Sequence, residues 1–485
     1  LMLLAIYYYY TSTFDYWKIR GVAGPQPTVF IGNFKDIILT RKSLGDKMRE
    51  WYEEYKKEPM FGIFDGSTPT LVITDLELIK DVLIKDFPLF VNRGIHFIQA
   101  EPLGEHLFSL EAERWRPIRT KLSPVFTSGK LRDMFPLLAE CSENLEKNLD
   151  DLAQTGEPVE CRDLAAKFTI DVIGSCAFGI NMNALSDENS EFREVGRTLF
   201  KQTTRGQIRD ICRQFLPMVY EKFGHLLQIP GVDQFLIDVV MDTIKYRREN
   251  NIVRPDFINT LMELQDHPEK LGNIDSLLTS QAFVFFAAGF GTSSTTISHA
   301  LYELALNQHI QDKLRKEIRE VCHKYQGVLT YDAVKEMKYL DKFFKGVLRK
   351  YPLIPFVMRE ASENYTFRGT KVSIEKGIKV LMPAYGIQRD ADIYPEPEKF
   401  DPERFNDDAV AARHPMAYLP FGDGPRNCIG ARFAQYKSKV GIITIIRNHK
   451  VDVCEKTKIP YESDPRSFML MLKGGVYLKI FKVEN

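Results

Sequence analysis

The stretch FGDGPRNCIG, residues 421–430, places Cys428 behind two glycines, a proline and an arginine, with Gly430 two residues further on. It runs directly into IGARFAQYKSKVGIITII, whose apolar residues recur at helical spacing. Cys428 is therefore expected at a helix N-terminus, where free N–H groups and the positive dipole end favour a thiolate. Gly422 and Gly424 permit a tight loop, and Gly430 permits a flat partner to approach closely. Arg426, two residues before the thiol, can bind an anion. An isolated cysteine in a loop is usually buried and inert. Here it sits inside a complete pattern of turn, cation and helix start.

A thiolate beside an anion-binding arginine and an apolar wall suits haem iron with its propionates. Phe421, Gly424, Arg426, Cys428 and Gly430 together spell F-x-x-G-x-R-x-C-x-G. With that string the chain resembles the cytochrome P-450 family of haem-thiolate monooxygenases. The resemblance implies that Cys428 is the axial ligand of haem b. It also implies an NADPH-cytochrome P-450 reductase as electron donor, cytochrome b5 as a possible second partner, and a lipophilic small-molecule substrate. WRPIR carries the family's W-x-x-x-R, so Trp115 and Arg119 are implied as propionate contacts; a buried Trp beside a surface Arg is the plainer reading. FVNRG and VMRE add Arg93 and Arg359. KFDPERF carries P-E-R-F with Arg404, and GPQP resembles the proline-rich hinge. The stretches TIDVIGSCAFGI and LSPVFTSGKL resemble insect microsomal members that handle plant toxins, insecticides and related lipophiles.

Two motifs depart from the family. QAFVFFAAGFGTSSTTISHALYELAL reads as a long apolar helix, expected to lie over the haem. Its glycines and its Ser/Thr run are poor helix-interior residues. Read for function, they open a bulge in which Thr292 orients water; read for structure, they let helices pack closely. The family pattern here is A-G-x-(acid)-T, met by Ala288, Gly289 and Thr292, but Gly291 stands where the acid belongs. In FFKGVLRKYP, Gly346 stands in the Glu position of the family's E-x-x-R and Arg349 is retained. The resemblance implies a buried network of that Glu, Arg349 and Arg404. Without it two cations lack their carboxylate, with Glu403 a candidate substitute. A haem-thiolate isomerase or dehydratase, and an impaired haem-binding remnant, are the alternatives these two glycines raise.

The rest of the chain sets bounds. The 485 residues are 44% hydrophobic, enough for a large core. Lys+Arg and Asp+Glu are both 65, so no global field points to nucleic acid, and no nucleic-acid motif occurs. Seven scattered cysteines with no CxxC suit a reducing compartment. LMLLAIYYYY is apolar or aromatic throughout. Residues 1–20 are expected to be the remainder of a membrane anchor and its flank, with Tyr7–Tyr10, Trp17 and Lys18 at the interface. Pro25 and Pro27 stiffen a hinge over 21–33, and 34–485 forms one catalytic domain at the cytosolic face of the endoplasmic reticulum.

The fold is expected to be mainly α with minor β, with small sheets near the N- and C-terminal parts. MFGIFDGSTPTLVITD predicts two short strands, with Asp75 capping the helix that follows. Strands return over 371–382, and SFMLMLKGGVYLKIFKV predicts a late hairpin. A doubly wound sheet is excluded by the lack of strand–helix alternation. The substrate pocket is expected from residues near His96–Glu105, 200–225, Phe283–Phe290 and Pro355–Val357. Arg116, Lys121, Lys437 and Lys439 are expected to form a reductase-docking face on the cysteine side; a merely solvated basic face is the alternative.

Overall fold

Strands from opposite ends of the chain meet in one sheet. In the computed structural model, residues 2–483 are described apart from 96–100, 102, 188–189, 201–202, 216, 229–230, 255 and 266–273. Met60–Asp65 and Thr68–Ile73 pair antiparallel, Phe61 opposite Val72 and Asp65 opposite Thr68. Gly66 makes the turn with φ of 61°, a conformation glycine adopts without penalty. Thr68–Ile73 takes Lys379–Met382 as a parallel neighbour, and Val357–Glu360 completes the sheet antiparallel to it. Parallel neighbours require a long crossover, and here the crossover is the helical body. Asp75 caps Leu76–Lys80 by accepting from the Leu78 N–H at 2.9 Å.

The helical body is built around one helix, Ile274–Leu306, of 33 residues, which at 1.5 Å per residue spans about 50 Å. It is apolar on nearly every side, the pattern of a helix buried in a core. Phe286, Phe290, Ile297, Leu301 and Leu304 are all buried. Helix Cys161–Ile173 and the helix after the cysteine, Ala431–Asn448, pack against it. Gly441 is what lets these three approach. A Cβ there would lie 3.0 Å from both Ile297 Cδ1 and Phe168 Cε1. The mainly α class with small sheets is thus what the chain adopts.

Two expectations are corrected. The C-terminal segment is not a self-contained hairpin. Tyr477–Lys482 pairs with His449–Val453, which follows the cysteine helix, and with Val159–Glu160. Residues upstream of the Gly474–Gly475 turn contribute only a Leu472–Ser463 bridge. Trp17 does not sit at a membrane interface. It is buried, donates its indole N–H to Ile63 O at 3.1 Å, and lies flat on Gly62, whose absent Cβ would be 2.2 Å from the ring. Asn33 holds the proline segment by donating to Pro25 O and Gln26 O, both at 3.1 Å. Helix Met2–Thr11 exposes Leu4 and Tyr7–Tyr9. Among the described residues no helix is long and apolar enough to cross a membrane.

Candidate functional site

The cysteine loop is folded by its own backbone. The Cys428 N–H donates to Phe421 O at 2.9 Å and the Asn427 N–H to Gly424 O at 3.1 Å. Gly422 and Gly424 take φ of 67° and 74°. A side chain at 424 would collide with Leu83 O, 1.9 Å from the Cβ position. Gly430 caps helix Ala431–Asn448, so Cys428 lies just ahead of the first turn rather than in it. The Gly430 N–H still reaches the sulfur and, with Arg93 and Arg119, favours its charged form, although burial pushes the thiol up overall. The side chain is nonetheless accessible. Both hold for a residue that faces a cleft deep within the fold. Phe421 is half-buried against the main core.

Four arginines converge on this loop. Arg426 donates to Val91 O and Leu110 O and stands 5.0 Å over the buried Trp115 ring. Arg93 donates to Arg426 O at 3.1 Å and to Phe108 O at 2.9 Å. Arg119, one turn beyond Trp115, grips Asn427 twice, at the carbonyl and the side-chain oxygen, each at 2.9 Å. Arg359 donates to Met358 O at 2.8 Å and Asp423 O at 3.5 Å. Burial comes first in lowering all of them. Arg426, facing Arg93, Arg359 and Arg119 as well, falls to about 8, Arg359 to about 9 and Arg93 to about 10. The Cys428 charge is what raises Arg93 again. The Nε atoms of Arg359 and Arg426 are buried without a partner. Buried cations held by carbonyls and repelling one another fit a bound group with negative charge, and a flat face laid against Gly430 fits its open surroundings. Haem, with two propionates and an open coordination position for sulfur, meets both conditions.

The central helix passes this region without the expected bulge; it is α-helical throughout. Four successive carbonyls each accept a side-chain donor: Ala288 O from the Thr292 hydroxyl at 2.6 Å, Gly289 O from Lys437 Nζ at 2.6 Å, Phe290 O from Thr169 at 3.3 Å, and Gly291 O from Thr295 at 2.8 Å and Ser294 at 3.1 Å. The hydroxyls of the Ser/Thr run are thus bonded back to carbonyls of the same helix. Gly289 is a packing glycine, since a Cβ there would sit 2.8 Å from Ile173 Cδ1. Ala288 is exposed and Thr292 half-buried, so this turn borders open space.

A family model described as "Cytochrome P450" matches residues 22–479. The chain belongs to the cytochrome P450 family. It is 40% identical to cytochrome P450 6a2 of Drosophila melanogaster, covering 98% of this chain and 97% of that one. It is 36% identical to cytochrome P450 6B1 of Papilio polyxenes, over 98% and 97%. With cytochrome P450 6j1 of Blattella germanica the identity is 37%, over 99% and 96%. A P450 carries haem iron and is a monooxygenase, and this one is similar throughout to insect members.

The two arginines of the expected network near Gly346 have a structural setting of their own. Arg349 is 1% exposed and donates to Gln388 O at 3.0 Å and Pro397 O at 2.8 Å, with Nε unpartnered. Arg404 donates to Glu396 O at 2.9 Å, and its Nε is also unpartnered. Burial, then Arg389 and Arg404, lower Arg349 to about 10. Glu403 does not substitute for the missing acid. It is taken by Lys313 at 2.8 Å and Lys342 at 3.3 Å.

The expected docking face is also corrected. Arg116 and Lys121 are exposed, but Lys437 and Lys439 are buried, the latter paired with Asp341 at 2.6 Å. Of the expected pocket stretch, 96–100 and 102 lie outside the described residues. Glu101 receives Tyr220 at 3.0 Å and Arg213 at 3.4 Å, which joins it to the 200–225 stretch. Two groups escaped the sequence reading. His106 packs 6.1 Å from Phe283, its pKa lowered by burial to about 4. Gln281 ties that loop to the central helix, accepting from Leu107 N at 2.8 Å and donating to Glu105 O at 3.0 Å. Only Gln281 left a signal, a lone amide in an apolar run.

Replacing Arg426 by Leu separates a cofactor role from a structural one. The variant removes one of four mutually repelling cations, so the haem-free chain should unfold no earlier than wild type. Haem retention during gel filtration should fall several-fold. Equal haem occupancy would count against the cradle.

Proposed function

We propose that Cys428 is the haem ligand of this P450, that Arg426, Arg93, Arg119, Arg359 and Trp115 hold the propionates, and that the enzyme oxygenates lipophilic small molecules of the plant-toxin, insecticide or endogenous lipid class. The observation that carries the reading is one accessible cysteine on a loop where four arginines converge, Arg426 and Arg359 buried and Arg93 and Arg119 half-buried, held largely by carbonyl oxygens. When bound there, haem supplies the iron at which dioxygen is split, one atom entering the substrate and the other leaving as water, with two electrons from NADPH through a reductase. The protein's own part is to keep the sulfur charged, to hold the propionates, and to present apolar surface with few polar groups. Phe108, exposed at 41% and 4.2 Å from Arg93, and the half-buried Phe283 supply such surface. We further propose residues 34–485 as the catalytic body, 21–33 as its hinge, and residence on the endoplasmic reticulum membrane with the exposed Tyr7–Tyr9 face toward lipid. Cytochrome b5 is a second donor, and Arg116 with Lys121 the basic part of the docking face.

The test is turnover with reductase and NADPH over planar aromatic and terpenoid lipophiles. A product heavier by one oxygen and dependent on NADPH is expected. Rearrangement of a lipid peroxide without NADPH would instead support an isomerase.

Gly291 supplies no carboxyl, so NADPH oxidation should exceed product, the excess appearing as hydrogen peroxide. Gly291→Glu should raise the ratio of product to NADPH. Arg162, which donates to Thr295 at 3.2 Å, offers the new acid a counter-charge. An unchanged ratio would remove the carboxyl from the explanation.

A further inference from the structure

Lys437 lies nine residues after Cys428, on the helix that follows the cysteine loop, with none of its side chain exposed. Its Nζ donates to Gly289 O at 2.6 Å and comes 3.8 Å from the position a Gly289 Cβ would take. The Phe433 ring is the other neighbour of the charge, at 5.3 Å. The adjacent carbonyl, Ala288 O, holds the Thr292 hydroxyl. Lys437 is thus bonded to the very turn in which Gly291 has replaced the acid.

An amide could peg Gly289 O without carrying charge, whereas burying an ammonium is costly unless it is paired. Among the described residues no carboxylate acts on Lys437. Among the titratable groups of the elements packed around it, the Cys176 thiol alone does. Cys141 and Arg254 act on Cys176 and not on Lys437. Arg162 is turned to Thr295, and Asp341 is taken by Lys439.

We propose that Lys437 is the proton-holding residue of the central helix in this chain, passing a proton through water to the Thr292 turn where position 291 has no carboxyl. The step is a proton transfer alone. The ammonium gives one proton to an adjacent water, and the neutral amine keeps an N–H on Gly289 O. It regains its proton from solvent before the next cycle. Burial lowers this lysine to about 7, so both forms are populated at neutral pH. A lone lysine with normal basicity would release a proton far more reluctantly.

The inference rests on the monooxygenase reading, and its test separates the two. Lys437→Gln keeps a donor for Gly289 O and removes the proton; Lys437→Met removes both. Each should keep the thiolate-type reduced-CO band. Each should lose the limb near pH 7 in the profile of product per NADPH. The ratio itself should fall several-fold, less than the ~10²–10⁴ of a positioned acid because water still delivers protons. Gly291→Glu in the Gln background should restore it. A readout independent of turnover is thermal unfolding. A lysine with a depressed folded pKa leaves the unfolded chain binding more protons, so stability rises with pH between about 7 and 10.5. Wild type should therefore lose stability relative to Lys437→Met as pH falls through that window. A Gln variant with the wild-type ratio and limb would make Lys437 a peg and overturn the proposal. So would a Met variant whose unfolding tracks wild type at every pH. A wild type without the thiolate band would overturn the monooxygenase reading and this proposal together.

Discussion

Cys428→Ala leaves no detectable NADPH-dependent oxygenation, and none of the buried or sheet-bound cysteines can take over. Cys141, Cys161 and Cys176 are buried with thiols pushed well up by desolvation, and Cys322 is raised for the same reason. Cys454 is bonded to Thr457 and Tyr477 O at the C-terminal sheet. None of these five has the arginine pair and helix-cap N–H that, against the burial raising the Cys428 thiol, act toward its charged form. Thiolate ligation is what drives O–O cleavage in this class of haem site, so the loss should be complete rather than partial. The check is product formation with reductase, together with haem content per chain. Residual turnover above a few per cent of wild type would mean another ligand carries the activity.

Gly346→Glu is expected to produce the largest gain in stability. Gly346 is buried on helix Lys338–Lys350, one turn before Arg349, and residues at that spacing share a face. Leaving the buried Arg349 cation without a carboxylate costs about 3–5 kcal/mol, and a helix-interior glycine costs about 1 kcal/mol more. Total domain stabilities of roughly 5–15 kcal/mol make the first of these large. Some of the cost is already offset, because Arg349 reaches two carbonyls and stands 5.3 Å from the Tyr394 ring. A new Cβ would also press Phe400, whose ring atoms lie 3.3 and 3.4 Å away, so the ring must give by a few tenths of an ångström. Gly346→Glu should then raise thermal midpoint, haem occupancy and reduced-CO amplitude together. Gly346→Ala carries the same contact with Phe400 and the same helix gain but no charge. Ala matching Glu in all three readouts would reduce the effect to backbone entropy.

What could be read from sequence was what lies within one contiguous stretch or one helix turn. The cysteine loop, the Trp115–Arg119 pair and the first two strands are local patterns. Arg93 and Arg359 were placed by family likeness, because nothing in FVNRG or VMRE shows that a sheet and a distant loop bring them to one point. Lys437 and Lys439 were misassigned because a charged residue on a helix normally means a solvated face, and only tertiary packing shows that this helix is covered by the central one. Glu403 was adjacent to Arg404 in sequence but turned toward Lys313 and Lys342. Trp17 looked interfacial by composition until Gly62 offered it a flat seat.

The account stands on a haem held by the Cys428 sulfur, and the reduced-CO difference spectrum of the intact purified protein tests that most directly. The spectrum should show the long-wavelength band of thiolate-ligated haem, absent from Cys428→Ala. A wild-type protein with full haem content and only the shorter-wavelength band of a neutral ligand would contradict it.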